Sequence, residues 1–251
     1  MDKFFNSKFM TGLQTVGQKV AANAFMSALQ GAMMSMMAPI MVGAIFTIIC
    51  AVGCNIFGWF SSDSTIYQIL YEPYNMTMNL ISIWVVVLLG YGYARNLKLK
   101  NPIMTAINCL AVFLTTVSHY GDSGLDYSYL GATGMFIGFL VCWVTCHIEK
   151  YCIDKDVRIK MPEVCPPSLV ASFNAILPLM FAMLACYGLT VIISLVTGGA
   201  YNLASGFMAL LAYPLNALIS VPGMLILGVL AGLMWSFGIH GTMVLVSVLM
   251  A

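Results

Sequence analysis

The residues best suited to chemistry lie near the end of the chain, in the run Trp235-Ser236-Phe237-Gly238-Ile239-His240-Gly241. His240 falls within an apolar stretch, and an ionisable side chain inside a membrane is costly and marks a functional hypothesis. Gly238 and Gly241 remove side chains on either side, which lets a ligand or a second backbone approach closely. Trp235 adds a flat apolar face. Because an aromatic face beside a neutral donor and acceptor suits a sugar ring, we predict that these four residues bind the substrate.

The alternative for His240 is a packing role, in which the ring donates a hydrogen bond to a neighbouring helix. No Asp, Glu, Lys or Arg accompanies His240 in the predicted spans. This excludes an ion-coupled carrier that needs carboxylates at the midplane, and a voltage sensor that needs arginines. A lone histidine also lacks the nucleophile or metal that hydrolysis requires. We therefore nominate no catalytic residue, no metal ligand and no cofactor.

Two further patterns favour packing over chemistry. Cys142, Cys146 and His147 form C-x-x-x-C-H, but the cysteines share a helix face from which His147 points about 100° away, given 3.6 residues per turn. No fourth ligand is evident, so we interpret the motif as buried packing and not as a metal site. Gly134-x-x-x-Gly138 and Gly228-x-x-x-Gly232 match the pattern of close helix contacts in membranes.

Composition excludes a soluble fold. The 251 residues are 61% hydrophobic and only 8% charged, with a mean hydropathy of +0.94, whereas soluble domains have about 25% charged residues. The net charge of +1 leaves no basic field for nucleic acid. We predict an all-α polytopic membrane protein, because lipid offers the backbone no hydrogen-bond partner. Its six predicted spans are about Met33–Phe57, Met76–Tyr93, Ile103–Val117, Tyr129–Ile148, Phe173–Val196 and Gly223–Leu249.

The basic residues divide cleanly between the connections. All ten precede the first span or follow the second and fourth, while the connections 61–75, 118–128 and 198–222 have none. Cytoplasmic loops carry the excess of Lys and Arg. The N-terminus is therefore predicted to be cytoplasmic, and His119, Asp122 and Asp126 are assigned to a solvated outside loop.

Three segments outside the spans have their own predictions. Met1–Gln30 is either an interfacial amphipathic stretch or an ordinary solvated approach to the first span. Tyr201–Ser220 is apolar but contains Pro214, so we predict an amphipathic or re-entrant connecting helix. Glu149–Pro167 ends in two prolines that favour extended backbone, and is predicted to be a cytoplasmic hinge or strap between two bundles.

Three segments together resemble the membrane-spanning IIC permease of the bacterial phosphotransferase system, in its lactose/cellobiose/diacetylchitobiose branch. The stretch from Gln18-Lys19-Val20-Ala21-Ala22-Asn23 to Ala38-Pro39-Ile40-Met41-Val42-Gly43 is similar to the family's first-helix signature. Lys160–Pro167, followed by Ser172-Phe173 and Leu177-Pro178, resembles its "MPEGVPPAV…SF…IP" segment. Trp235–Gly241 resembles its "W-x-FGIHG" helix, and the three segments occur in the family's order.

The resemblance implies a homodimer in the bacterial cytoplasmic (inner) membrane that carries a disaccharide across the bilayer. His240 and Trp235 then line the sugar site. Phosphorylation is left to a phosphocysteine on the separate cytoplasmic IIB protein, which IIA recharges. The sequence does not identify the sugar.

The resemblance also predicts two domains and an incomplete transport unit. Residues 1–220 correspond to an interface or dimerisation domain, and 221–251 to the first helix of the sugar-transport domain. The family continues through further helices and an acidic "N-E-P"-like site, so we expect the chain to be truncated and unable to transport by itself. Two alternatives stay open: a non-transporting scaffold or dimerisation fragment, and an unrelated six-helix channel or carrier.

Overall fold

The fold is built almost wholly from helices. It is a computed structural model that describes residues 15, 17–19, 22–118, 120–121, 124–162, 165–216, 221–236, 241–242 and 245. The α-helices in the described part are α1 Ala24–Ser35, α2 Met37–Ala51, α3 Thr65–Thr77, α4 Ile81–Asn96, α5 Pro102–Val117, α6 Met135–Asp154, α7 Pro167–Val196, α8 Leu203–Asn216 and α9 Val221–Ser236. A π-helical turn follows α2 at Val52–Ile56, and a 3₁₀ turn precedes α6 at Ala132–Gly134.

Four stretches of the described chain are long and apolar enough to cross a bilayer. They are Ala24–Ile56, Thr65–Asn96, Ala132–Asp154 and Leu169–Val196, and they contain most of the first, second, fourth and fifth predicted spans. The third predicted span corresponds to α5, a shorter apolar helix of 16 residues. The all-α polytopic membrane fold is confirmed.

The prediction of a loop over residues 61–75 is wrong, because most of that stretch forms α3. The Ser64 hydroxyl accepts a hydrogen bond from the Tyr67 N–H at 3.2 Å and so caps the helix. The Tyr67 and Tyr71 rings stack 5.4 Å apart one turn later. Polar residues between the tyrosines keep the hydropathy of α3 low, so a search for apolar runs passes over it.

The connection between α5 and α6 contains a minimal hairpin. Tyr120–Gly121 (β1) pairs antiparallel with Gly124–Leu125 (β2). Asp126 then accepts a hydrogen bond from the Ser128 N–H at 2.9 Å, as expected for a polar turn. His119 and Asp122, which the sequence assigns to this loop, lie outside the described residues.

The core forms where α4, α5 and α6 meet. Val85, Val86, Val112 and Phe113 are completely buried there. A Cβ on Gly138 of α6 would lie 2.6 Å from a methyl of Val86 in α4, so the two helices touch at a position that only glycine permits. Gly138 of the pattern Gly134-x-x-x-Gly138 is thus confirmed as a helix contact, whereas Gly134 lies in the 3₁₀ turn and packs on the Tyr129 carbonyl.

The described basic ends of the helices converge at one end of the bundle. The Asn96 side chain at the end of α4 donates a hydrogen bond to the Ala24 carbonyl at the start of α1, 2.7 Å away. Lys100 after α4 and Arg158 after α6 line the same cavity. At the opposite end of α4, the Ser82 hydroxyl donates to the Gly131 carbonyl before α6. The grouping of charges that the sequence predicts is therefore present in three dimensions.

Helices α4 and α6 end in the same type of turn. Lys98 and Asp156 adopt left-handed backbone conformations, with φ of 58° and 53°. The N–H of the following residue, Leu99 or Val157, reaches back to the carbonyl five positions earlier, at 3.0 Å and 2.8 Å. Both are Schellman motifs. Each turns the chain sharply and sets a basic residue, Lys100 or Arg158, two positions after the left-handed one.

The segment after α6 does not join two bundles, so that part of the prediction is wrong. Helix α6 continues to Asp154, and Pro167 then opens α7. Ala182 and Cys186 of α7 are buried in the same apolar cluster as α4, α5 and α6. The segment is a strap within one bundle.

Helix α8 confirms a connecting helix within 201–220. Its start is capped reciprocally: the Asn202 N–H donates to the Ser205 hydroxyl at 2.9 Å, and the Ser205 N–H donates to the Asn202 side chain at 2.8 Å. Four residues of α8 are buried, while Leu210 and Tyr213 are exposed. The buried four are Leu203, Ala204, Met208 and Ala212.

Replacing Gly138 by alanine should destabilise the bundle by about 1–3 kcal/mol, the cost of overpacking a filled site. Val86 is buried and β-branched, so it cannot yield as a flexible side chain would. Gly228→Ala in α9 is the matched control, because no described atom lies within 4 Å of a Cβ added there. It should be neutral or slightly stabilising. Unfolding free energies in detergent test this; equal destabilisation by the two variants would contradict it.

Candidate substrate site and a buried carboxylate

The predicted sugar-binding residues lie at and after the end of α9. Trp235 occupies the last turn of α9, and its side chain is 54% exposed. Gly241 is buried on the segment that follows. Gly238 and His240 lie outside the described residues, so their predicted roles stay predictions.

The sixth span is not one straight helix, and the predicted range Gly223–Leu249 is wrong in this respect. The described part of helix α9 extends to Ser236. A Cβ on Gly241 would lie 2.8 Å from the Cα of Ala231 and would overlap its carbonyl oxygen. In a continuous helix, ten residues would separate these positions by about 15 Å. The chain therefore folds back onto α9.

This fold-back explains why position 241 must be glycine. Gly241 packs on the backbone of Ala231, and Trp235 lies one helical turn beyond Ala231 on the same face of α9. The returning backbone thus comes close to the turn that carries the indole. The sequence offered two reasons for a glycine at position 241, close approach of a ligand or of a second backbone. The structure shows close approach of a second backbone. By contrast, Gly228 and Gly232 have no described atom within 4 Å of an added Cβ.

The Cys142, Cys146 and His147 motif is divided between two environments. Cys146 faces the interior, where its sulfur lies 4.0 Å from that of Cys109, and Cys142 reaches the Val86 carbonyl at 3.4 Å. His147 instead packs on Trp143, with ring centroids 4.3 Å apart. The predicted divergence of the histidine from the cysteine face is confirmed.

Glu149 is a functional candidate that the sequence reasoning missed. It was assigned to a cytoplasmic stretch, yet it lies within α6 and only 7% of it is exposed. Its Oε1 accepts a hydrogen bond from the Thr105 hydroxyl of α5 at 2.9 Å. Its Oε2 is buried without a hydrogen-bond partner among the described residues. The signal lies in its spacing from Cys142, Cys146 and Cys152, which places it on the buried face of α6.

Loss of the Thr105 hydroxyl should be unusually costly. Thr105→Val keeps the shape but removes the described donor to Glu149, so we expect destabilisation of about 2 kcal/mol, within the range for a buried polar group that loses its hydrogen-bond partner. Thr116→Val is the matched control, because Thr116 is also buried on α5 but donates only to the Val112 carbonyl of its own helix at 2.7 Å. Equilibrium unfolding in detergent measures both. Equal effects at the two positions would refute a special role for the Thr105–Glu149 bond.

The geometry defines a class of protein: an α-helical, multi-pass membrane protein whose basic helix ends gather at one face. Residues 30–251 match the family model described as "Phosphotransferase system, EIIC". Because this match covers most of the chain, the protein belongs to the phosphotransferase system EIIC family. The family assignment excludes the alternative of an unrelated channel or carrier.

Two relatives are lactose-specific EIICB components. The chain is 27% identical over 232 residues to the PTS system lactose-specific EIICB component of Streptococcus mutans serotype c. It is 29% identical over 233 residues to the lactose-specific EIICB component of Staphylococcus aureus. In both comparisons the alignment covers 89% of this chain and 40% of the relative. The chain thus spans well under half the length of these proteins.

A solved structure shares the fold. The transporter ChbC, the IIC component from the N,N'-diacetylchitobiose-specific phosphotransferase system, superposes with a TM-score of 0.73 at 23% identity. The match covers 94% of this chain and 58% of ChbC. At this level of identity the likeness establishes the architecture of the helices.

Proposed function

We propose that this chain belongs to the sugar-binding and sugar-translocating IIC component of a phosphoenolpyruvate-dependent phosphotransferase system. Its substrate is a disaccharide of the cellobiose, chitobiose or lactose type. The family match over residues 30–251 carries the proposal, because it includes the Trp235–Gly241 segment. The relatives described as lactose-specific and the ChbC-like fold support the disaccharide class.

The proposed sugar site comprises Trp235, Gly238, His240 and Gly241. Trp235 offers an exposed indole face for the apolar side of a sugar ring. His240 supplies a donor and an acceptor for hydroxyls. The fold-back of Gly241 onto Ala231 supports the proposal, because it keeps the end of the segment beside the turn that carries the indole.

Two domains are proposed, divided near residue 220. Residues 1–220 form an interface domain, and residues 221–251 begin the sugar-transport domain. Support comes from the distribution of the core: the main buried cluster draws on residues from Ala28 to Ala204, and within the described chain α9 contributes none to it. A helix that shares no core with the preceding ones is free to move relative to them.

The proposed partners are cytoplasmic IIB, which phosphorylates the sugar from a phosphocysteine, and IIA, which recharges IIB. The proposed assembly is a homodimer in the bacterial cytoplasmic membrane. A dimer of the purified protein, counted by mass photometry in lipid nanodiscs, is the expected result.

The proposed orientation places the convergent basic ends in the cytoplasm. Lys100 and Tyr127 are exposed, and they lie at opposite ends of the bundle. Lys100→Cys should therefore react with a membrane-impermeant maleimide only in inverted vesicles, and Tyr127→Cys only in intact cells. The background carries Cys54→Ser and Cys165→Ser, because these two cysteines are only partly buried. Labelling of both positions from one side would disprove the orientation.

Removing the indole of Trp235 should weaken disaccharide binding by about tenfold, or 1.4 kcal/mol, because ring stacking is lost. The assay is calorimetric titration of lactose, cellobiose and N,N'-diacetylchitobiose into the protein purified from its native membrane. Trp143→Ala is the control, since that indole has a similar exposure of 47% but lies on α6. No binding of any disaccharide, or equal losses in the two variants, would contradict the proposed site.

A further inference from the structure

A second cavity lies apart from the proposed sugar site, at the basic end of the bundle. It encloses about 140 Å³ between the start of α5, the end of α6 and the first turns of α7. At about 30 Å³ for each water, it has room for roughly five waters, or for a small polar molecule. Its wall includes Glu149, Asn174, Lys100 and Arg158.

The inner wall of the cavity is rich in acceptors that lack donors. Glu149 Oε2 and Asn174 Oδ1 are buried, and neither has a hydrogen-bond partner in the described part of the chain. Pro178 lines the same cavity and has no N–H, so the Asn174 carbonyl one turn earlier loses its helical donor. Buried acceptors left unpaired are costly and call for an explanation. A ligand that fits here must donate hydrogen bonds.

The outer wall carries positive charge. Lys100 and Arg158 are held there by the two Schellman turns that end α4 and α6. Arg158 pairs through Nε with Asp156 at 2.6 Å, and Asp156 also lines the cavity. Lys100 has no ion-pair partner within the described ranges. The cavity thus has two basic and two acidic residues in its wall, with Lys100 and Arg158 on the outer side and Glu149 on the inner side.

One class of ligand can both donate hydrogen bonds to the inner wall and accept them from the basic residues of the outer wall. A bare metal cation would meet Lys100 and Arg158, and the residues described contain no cluster of three His, Cys, Asp or Glu side chains for a metal. A bare phosphate dianion would find Glu149 repulsive. We propose that the cavity binds a small hydroxylated phosphate, whose hydroxyls donate to Glu149 and Asn174 and whose phosphate accepts from Lys100 and Arg158.

Two sources share this chemistry. A soluble sugar phosphate or polyol phosphate has the required groups, and so does the glycerol headgroup of phosphatidylglycerol. Either reaches the cavity from the face that bears the basic residues. The cavity is separate from the proposed disaccharide site, so phosphate binding and disaccharide binding can be measured independently.

The experiment titrates the purified protein in phosphatidylcholine nanodiscs with four probes: glucose 6-phosphate, glycerol 3-phosphate, inorganic phosphate and glucose. The two hydroxylated phosphates should bind at least tenfold more tightly than inorganic phosphate or glucose, because only they engage both walls. Binding of inorganic phosphate as tight as that of glucose 6-phosphate would overturn the proposal, and so would binding of no probe.

Variants locate the binding. Lys100→Gln should weaken glucose 6-phosphate binding by about tenfold through loss of a charge-assisted hydrogen bond. Lys150→Gln is the matched control, since Lys150 is an exposed lysine on α6 that does not line the cavity. Glu149→Gln should reduce the preference for hydroxylated phosphates over inorganic phosphate. Equal effects of Lys100→Gln and Lys150→Gln would overturn the assignment.

Repeating the titration in phosphatidylglycerol nanodiscs separates the two sources. If glucose 6-phosphate binds more weakly in phosphatidylglycerol than in phosphatidylcholine nanodiscs, the lipid headgroup competes for the cavity and is identified as an occupant. This difference between the two lipids should be smaller for Lys100→Gln. Unchanged binding identifies a soluble phosphate. Both results support the site, because each requires the same residues. Disaccharide titration of the same samples is unaffected in either case, so failure here leaves the permease proposal standing.

Discussion

The close approach of α4 to α5 and α6 is the constraint on which the rest of the structure depends. Between helices in lipid there is little hydrophobic driving force, so packing and hydrogen bonds must hold the bundle together. Glycines make the contact possible: a Cβ at Gly90 would lie 3.1 Å from Cys109 in α5, and one at Gly138 would meet Val86. A larger residue at either position would separate helices that share the central apolar core.

Two consequences follow from this contact at the basic end. The ends of α4 and α6 come together, and their Schellman turns direct Lys100 and Arg158 to one cavity. Glu149, one residue from the exposed Lys150, is carried inward because it shares the buried face of α6 with Cys142, Cys146 and Cys152. A carboxylate near a helix end is thereby converted from a solvated group into a buried one.

The sequence predicted the features that composition and periodicity determine. The long apolar runs of α4, α6 and α7 and the grouping of basic residues follow from the physics of the bilayer. Helix α3 was missed because its polar residues interrupt the apolar run. The end of α6 was placed too early, because Glu149 and Lys150 look like the start of a loop. Burial of Glu149 depends on Thr105, 44 residues away, and no local pattern encodes that contact.

At the candidate sugar site, too, the residue types were predictable from the sequence, whereas their tertiary contacts were not. The motif containing Trp235 and Gly241 was recognisable from residue types, but the fold-back was not, since an unbroken apolar stretch favours a straight helix. The contact of Gly241 with Ala231 is tertiary. The structure thus changes the geometry expected around the indole, while the roles of Gly238 and His240 rest on the sequence.

The central claim is that this chain serves a sugar phosphotransferase system, and energy coupling tests it most directly. The gene would be deleted in its own host, and permeabilised cells would be supplied with radiolabelled lactose, cellobiose or N,N'-diacetylchitobiose. We expect phosphoenolpyruvate, but not ATP, to drive formation of the labelled sugar phosphate in the parent strain, and the deletion to abolish it for one of the three sugars. Unchanged phosphorylation of all three sugars in the deletion strain, or formation of the labelled sugar phosphate that does not require phosphoenolpyruvate, would contradict the account.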